Sequence, residues 1–137
     1  MPTRRKRLLV VEDDDGVREA LFAALSDTYA VITATDGREA LDLLASHRFD
    51  AVLLDLMLPR LDGRGVMKEM KARGLRIPTV LASAGREMRQ VAREVGAEDW
   101  IEKPFDLGEL ESKLAKVTGR RARGKPRSEK PPPNASR

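Results

Sequence analysis

The chain has 137 residues, 41% of them hydrophobic and none of them cysteine, which favours one domain with its own core and excludes disulfides, thiolate zinc sites and a thiol nucleophile. Basic residues number 26 against 22 acidic ones, but residues 8–118 hold 15 basic and 21 acidic side chains, a net charge of −6. An acidic body between two basic ends does not fit a uniformly basic nucleic-acid-binding protein.

The chain begins with a basic segment, residues 1–7, which carries four Lys or Arg side chains. The apolar run that follows it is interrupted at Glu12. A run this short fits neither the hydrophobic region of a signal peptide nor a membrane span. We therefore expect no transmembrane segment and a cytoplasmic protein.

Five short apolar runs recur along the middle of the chain and predict five β-strands. They lie at residues 8–11, 30–33, 51–54, 79–82 and, more weakly, 100–101. Continuous rather than alternating hydrophobicity is typical of strands that are covered on both faces, as in a parallel sheet.

Between and after these runs, apolar residues recur at spacings of three and four, which predicts five amphipathic helices. The stripes are Val17, Leu21, Ala24 and Leu25; Ala40, Leu41 and Leu44; Val66, Met67 and Met70; Met88, Val91, Ala92 and Val95; and Leu107, Leu110, Leu114 and Val117. Asp36 and Glu39 have the spacing of a capping box, and Gly74 and Gly96 stand where helices would end. The alternation over residues 8–118 predicts a doubly wound α/β domain.

The apolar periodicity stops at the last segment, residues 119–137. This segment carries seven basic residues against one acid and contains three consecutive prolines. Such a composition cannot bury enough apolar surface to order itself, so we expect a disordered tail. Without aromatic residues it offers no stacking platform, and only a weak, nonspecific attraction to nucleic acid or another acidic surface is expected.

Polar side chains stand where the predicted strands end. Glu12 and Asp13 follow the first strand, Asp55 the third, Ser83 the fourth and Lys103 the fifth. Ligands of open α/β sheets bind at the carboxyl ends of the strands, so these groups are expected to converge. Hard oxygen donors in a chain without cysteine favour Mg²⁺ over zinc.

Beside such an ion, Asp55 is a candidate nucleophile toward a phosphoryl group. The ammonium of Lys103 and the hydroxyl of Ser83 would contact the phosphoryl oxygens, as charge stabilisation in phosphoryl transfer requires. The product would be an aspartyl phosphate.

Five motifs in the chain together resemble the receiver domain of two-component response regulators, over about residues 6–118. They are Val10 to Asp14, Asp55 followed by Leu56-Met57-Leu58-Pro59, Asp62-Gly63, Ser83-Ala84, and Gly96 to Trp100 leading to Lys103-Pro104-Phe105. The resemblance implies a flavodoxin-like parallel sheet in the order 2-1-3-4-5 with five helices.

The resemblance also implies roles for particular residues. Glu12, Asp13 and Asp55 become Mg²⁺ ligands together with the backbone carbonyl of Met57. Asp55 becomes the phosphoacceptor, and Ser83 and Lys103 become the groups that contact the phosphoryl oxygens. Trp100 takes the position of the switch aromatic, which works with Ser83, and Lys103-Pro104 is expected to be a cis bond.

The function that the resemblance implies is a phosphorylation-controlled signalling switch. A histidine kinase or a phosphotransfer protein of a phosphorelay donates a phosphoryl group to Asp55, and a partner then docks on the face of the fourth helix, fifth strand and fifth helix. The output is binding rather than turnover, so the protein is not a turnover enzyme. No output domain follows the receiver, so a stand-alone receiver is expected.

Three alternatives compete with this interpretation. A phosphohydrolase with an aspartyl phosphate would need a second acid two positions after the nucleophile, where Met57 stands. A nucleotide-binding module would need a glycine-rich turn after the first strand, where residues 12–15 are all acidic. An adaptor that acts mainly through its basic tail remains open, and deletion of residues 119–137 would distinguish it by partner binding.

Overall fold

Five parallel strands alternate with five helices in the computed structural model, which describes residues 5–85 and 88–119. The elements are β1 (Arg7–Val11), α1 (Asp15–Leu25), β2 (Ala30–Ala34), α2 (Gly37–Ser46), β3 (Ala51–Asp55), α3 (Gly63–Ala72), β4 (Thr79–Ser83), α4 (Met88–Val95), β5 (Asp99–Glu102) and α5 (Leu107–Thr118). Each predicted apolar run lies inside one of these strands. Residues 1–4 of the basic start and 120–137 of the predicted tail lie outside the described residues.

The strands form one sheet in the order β2-β1-β3-β4-β5, which confirms the predicted flavodoxin-like topology. From β1 the chain moves outward to β2 and then returns across β1 to β3, so the direction of winding reverses between β1 and β3. The carboxyl ends of these two neighbours flank the crevice in which ligands of such sheets bind. Glu12 and Asp55 lie at these two ends.

The core consists of two layers, one on each face of the sheet. Leu9, Leu54 and Leu81 pack beneath α2, α3 and α4, whereas Leu53 and Ile101 pack beneath α1 and α5. Successive side chains of a strand point to opposite faces, so every residue of β3 and β4 is buried. Burial on both faces explains the continuous apolar runs of the sequence.

Aspartates begin four of the five helices. The side chains of Asp14, Asp36, Asp62 and Asp106 each accept the backbone N–H three residues later, at 2.8–2.9 Å. An aspartate at this position satisfies a helix N–H group and complements the positive end of the helix dipole. Each capped helix therefore has a defined first residue close to the edge of the sheet that carries the strand-end acids.

The predicted capping box at α2 is correct for one of its two bonds. Asp36 accepts the N–H of Glu39, but Glu39 Oε1 accepts the N–H of Thr35 at 2.8 Å and its hydroxyl at 3.0 Å, one residue before the cap. Thr35 offers two donors to the same oxygen, which explains why Glu39 binds Thr35 rather than the N–H of Asp36. At the other ends of helices, Gly74 and Gly96 adopt φ angles of +72° and +80°, as predicted for C-terminal caps.

Candidate functional site

The predicted site residues are carried by backbone that continues the sheet beyond its strands. The N–H of Glu12 donates to the carbonyl of Ala34 at 3.0 Å, and the N–H of Lys103 donates to the carbonyl of Ser83 at 2.9 Å. Asp55 is itself the last residue of β3. Positions fixed in this way on a rigid scaffold hold functional groups more precisely than a free loop does.

Three carboxylates meet at this edge of the sheet. Glu12, Asp13 and Asp55 each offer an oxygen, and these oxygens all lie within 4.8 Å of one another. Glu12 and Asp55 are buried, whereas Asp13 is exposed at the mouth of the cluster. A compact group of hard oxygen donors that is open on one side fits Mg²⁺, which usually keeps several waters beside one or two carboxylates.

Lys103 bridges the two buried acids. Its Nζ lies 2.8 Å from Glu12 Oε1 and 3.0 Å from Asp55 Oδ2. Buried carboxylates need such a partner, because an unpaired buried charge is costly. One ammonium against three carboxylates leaves a formal charge of −2, which a divalent cation would neutralise.

The surroundings shift the pKa of both partners of the shorter ion pair. Burial is the largest influence on Glu12 and raises its pKa above 4.5, assisted by the Asp55 charge and opposed by Lys103 and the Asp14 N–H. Burial alone would lower the pKa of Lys103, but its hydrogen bonds to Glu12 and Asp55 and their charges raise it above 10.5. Lys103 therefore stays charged at neutral pH, and burial makes the Glu12 carboxylate harder to ionise than a glutamate in water.

The loop between β1 and α1 is braced by Arg18, which the sequence analysis did not single out. Arg18 Nη1 donates to the carbonyl of Glu12 at 3.0 Å and lies 3.4 Å from that of Asp13, while Nη2 pairs with Asp15. The Asp14 N–H donates to Glu12 Oε2 at 3.1 Å. Because helical side chains lean toward the N-terminus of their helix, an arginine in the first turn of α1 could have been predicted to reach back to the loop before it.

The loop between β3 and α3 begins at the candidate phosphoacceptor. The Met57 N–H donates to Asp55 Oδ1 at 3.2 Å, and the Met57 side chain is 70% exposed. The Gly63 N–H donates to the carbonyl of Leu56 at 2.8 Å, which closes the loop at its far end. The backbone of Met57 therefore lies directly beside the acid cluster.

Ser83 and Trp100 are not members of the acid cluster: Ser83 ends β4, the strand beside β3, and Trp100 lies one strand further on, in β5. The Ser83 hydroxyl is buried and accepts the Gly85 N–H at 3.2 Å. Trp100 is half-buried, is paired with Leu81 across the sheet, and lies beneath Lys113, whose Nζ is 5.8 Å from the ring centroid. The Lys103–Pro104 bond is cis, as the resemblance implies.

The fold is a flavodoxin-like, doubly wound sheet. Its carboxyl edge carries a lysine and a cluster of carboxylates that could hold a metal ion. The family model described as the response regulator receiver domain matches residues 8–115. The chain belongs to this family, and it is a receiver domain of two-component signalling rather than a turnover enzyme.

Curated relatives include the response regulator MprA of Mycolicibacterium vanbaalenii, which is 46% identical over 111 residues, or 79% of this chain and 48% of that protein. The MprA of Mycobacterium avium is 43% identical over 123 residues, or 88% of this chain and 53% of that protein. The chain thus spans about half the length of the curated relatives it matches. No helix within residues 5–85 and 88–119 has the length and apolar character needed to cross a membrane.

Solved structures give the same family. The chemotaxis response regulator CheY4 of Vibrio cholerae has a TM-score of 0.77 at 30% identity, over 82% of this chain and 98% of that one. The response regulator TrrA of Thermotoga maritima, in complex with Mg²⁺ and BeF, has a TM-score of 0.74 at 32% identity, over 82% and 98%.

Proposed function

We propose that this domain is a phosphorylation-controlled switch in which Asp55 accepts a phosphoryl group from a histidine kinase or a phosphotransfer protein. The observation that carries the proposal is the position of the Asp55 carboxylate, which lies within 4.8 Å of the Glu12 and Asp13 oxygens and 3.0 Å from the Lys103 ammonium. A nucleophile flanked by a cation-binding cluster and a fixed positive charge is suited to phosphoryl transfer.

Mg²⁺ fits the donor set of the site. The carboxylates of Glu12, Asp13 and Asp55 would hold it together with the backbone carbonyl of Met57, and the Mg²⁺ and BeF bound to the relative from Thermotoga maritima support the choice. When bound, the ion supplies the positive charge that offsets the phosphoryl oxygens.

The transfer is a single displacement at phosphorus. A carboxylate oxygen of Asp55 forms the new bond to phosphorus, the bond from phosphorus to the donor's histidine nitrogen breaks, and its electron pair leaves with the imidazole. Lys103, which binds Asp55 Oδ2 at 3.0 Å, then pairs with a phosphoryl oxygen. The Ser83 hydroxyl would leave the Gly85 N–H and donate to a second phosphoryl oxygen.

Asp55→Asn is expected to abolish phosphorylation of the chain. The full chain would be incubated with phosphoramidate and Mg²⁺, and incorporation would be measured by intact mass spectrometry. The wild type should gain one alkali-labile phosphoryl group, and only when Mg²⁺ is present. The variant should gain none, because its neutral amide is not a nucleophile. Asp42→Asn, which changes an exposed acid on α2, is the matched control and should label normally. Equal labelling of Asp55→Asn and wild type would refute the assignment.

The output of the switch is proposed to be a change in partner affinity on the face formed by α4, β5 and α5. Only a difference in affinity between the two states can transmit the signal. Trp100 lies on this face, one strand away from Ser83, and its ring is covered by the Lys113 ammonium, which also pairs with Asp99 at 3.1 Å. Trp100 is paired with Leu81, two residues before Ser83 on β4, so we expect movement of Ser83 toward a phosphoryl group to change the packing of the ring.

Trp100 emission is expected to respond when the phosphoryl mimic binds. Mg²⁺ and beryllofluoride would be added to the wild type and to Asp55→Asn, and emission and acrylamide quenching would be compared. The chain contains one Trp, so the signal is unambiguous. A response in the wild type alone supports coupling between the site and β5. An unchanged spectrum, with binding shown independently by calorimetry, would remove Trp100 from the switch.

A further inference from the structure

A strained turn lies in the loop that links Asp55 to α3. The Leu61 N–H donates to the carbonyl of Pro59 at 2.7 Å, which makes Arg60 the central residue of a three-residue turn. The φ of Arg60 is +66°, and it is the one residue other than glycine in the described ranges with a positive φ. Three-residue turns with a positive central φ are the rare and strained form, and an arginine there lacks the conformational freedom of glycine.

The Arg60 side chain is tied to a buried carboxylate on another element. Its Nε donates to Asp36 Oδ2 at 2.9 Å, while Asp36 Oδ1 accepts the Glu39 N–H at 2.8 Å in the first turn of α2. The Asp36 side chain is 10% exposed and that of Arg60 is 69% exposed. The Glu39 N–H and then Arg60 lower the pKa of Asp36 below 3.8, so this carboxylate is charged at neutral pH.

The backbone next to Arg60 is held by the same helix. A Cβ atom on Gly37, the first residue of α2, would lie 1.9 Å from the carbonyl oxygen of Leu61. The helix therefore touches the turn at two successive residues, once by an ion pair and once by direct backbone contact. Strain persists only where the surroundings fix the conformation, and these two contacts supply that constraint.

We propose that Arg60 and Asp36 are a positioning pair that sets the divalent-cation affinity of the site. The inference rests on the proposed function, in which the Met57 carbonyl is a metal ligand. Met57 lies three residues before Arg60, in a loop whose ends are fixed by the Met57 N–H on Asp55 Oδ1 and by the Gly63 N–H on the Leu56 carbonyl. If the turn relaxes, the backbone between these two hydrogen bonds can move, and this segment begins with the Met57 carbonyl.

The test measures Mg²⁺ binding to the full chain by calorimetry and thermal stability in EDTA. Arg60→Gln and Asp36→Asn should each weaken Mg²⁺ binding about tenfold, the scale typical of residues that orient metal ligands. The double variant should lose no more than either single one, because both remove the same contact. Asp36→Asn keeps a side-chain oxygen for the Glu39 N–H, so the helix cap survives. Arg64→Gln, which changes an exposed arginine on α3 that pairs with Glu94, is the charge-matched control and should bind as the wild type does.

Arg60→Gly separates positioning from a merely structural role. Glycine accepts the positive φ without strain, which offsets part of the stability lost with the Asp36 contact. This variant should therefore melt no lower than Arg60→Gln and yet bind Mg²⁺ about tenfold more weakly than the wild type, as Arg60→Gln does. Wild-type affinity in Arg60→Gly and Arg60→Gln would overturn the positioning role and leave the proposed function intact. No saturable Mg²⁺ binding by the wild type itself would overturn both.

Discussion

Replacing Lys103 with methionine is expected to lower the free energy of unfolding of the metal-free protein by about 3 kcal/mol at neutral pH. The substitution leaves Glu12 and Asp55, both buried, without the ammonium that lies 2.8 and 3.0 Å from them. Methionine preserves much of the apolar length of lysine, so the loss reports the charge rather than a cavity. Urea denaturation in EDTA measures it.

The deficit of Lys103→Met should depend on pH in a definite direction. The pKa of Glu12 is raised above 4.5 by burial, so its contribution to stability is complete below that pH and is lost as the pH rises through the folded-state value. Lys103 lowers the pKa of Glu12. Without it this pKa rises further, so the stability lost with rising pH becomes larger. The gap between variant and wild type should therefore be smaller at about pH 4.5 than at neutrality.

Lys113→Met is the matched control for this measurement. The Lys113 side chain is 23% exposed and that of Lys103 is 24%, and Lys113 also pairs with a carboxylate, Asp99, at 3.1 Å. Its partner is less buried, so the loss should be about 1 kcal/mol or less. Adding Asp55→Asn to Lys103→Met should recover more than half of the deficit, because one unpaired charge is removed. Equal losses in the two lysine variants, or no recovery in the double variant, would contradict this account of the site.

The strands and the strand-end acids were predictable because each follows from burial and topology. The apolar runs are continuous since β3 and β4 are covered on both faces. Parallel strands present their carboxyl ends at one edge, so Glu12 and Asp55 had to be neighbours once β1 and β3 were adjacent. The strand-end positions, together with the strand order that the resemblance implies, therefore predicted the meeting of residues that lie more than forty positions apart.

The contacts that brace the site were not predictable in the same way. Asp36 and Arg60 are 24 positions apart and lie in two loops whose shapes no periodicity describes. An arginine after a proline indicates a solvated turn. A positive φ is usually predicted from a glycine, and arginine gives no such indication. The preference of Glu39 for Thr35 over Asp36 likewise depends on local geometry rather than on spacing.

Replacing Asp13 with asparagine is expected to weaken Mg²⁺ binding by at least about tenfold and to leave the metal-free stability within about 0.5 kcal/mol of the wild type. Asp13 is exposed and lies in a cluster of like charges with Glu12 and Asp55. Its carboxylate therefore contributes little to the fold, and its loss relieves repulsion while it removes a proposed metal ligand. Asp27→Asn, an exposed acid between α1 and β2 at the opposite edge of the sheet, makes the same charge change and should bind Mg²⁺ as the wild type does. Calorimetry and urea denaturation give the two quantities separately. Equal Mg²⁺ affinities for Asp13→Asn and Asp27→Asn would show that Asp13 acts only through net charge and would remove it from the metal site.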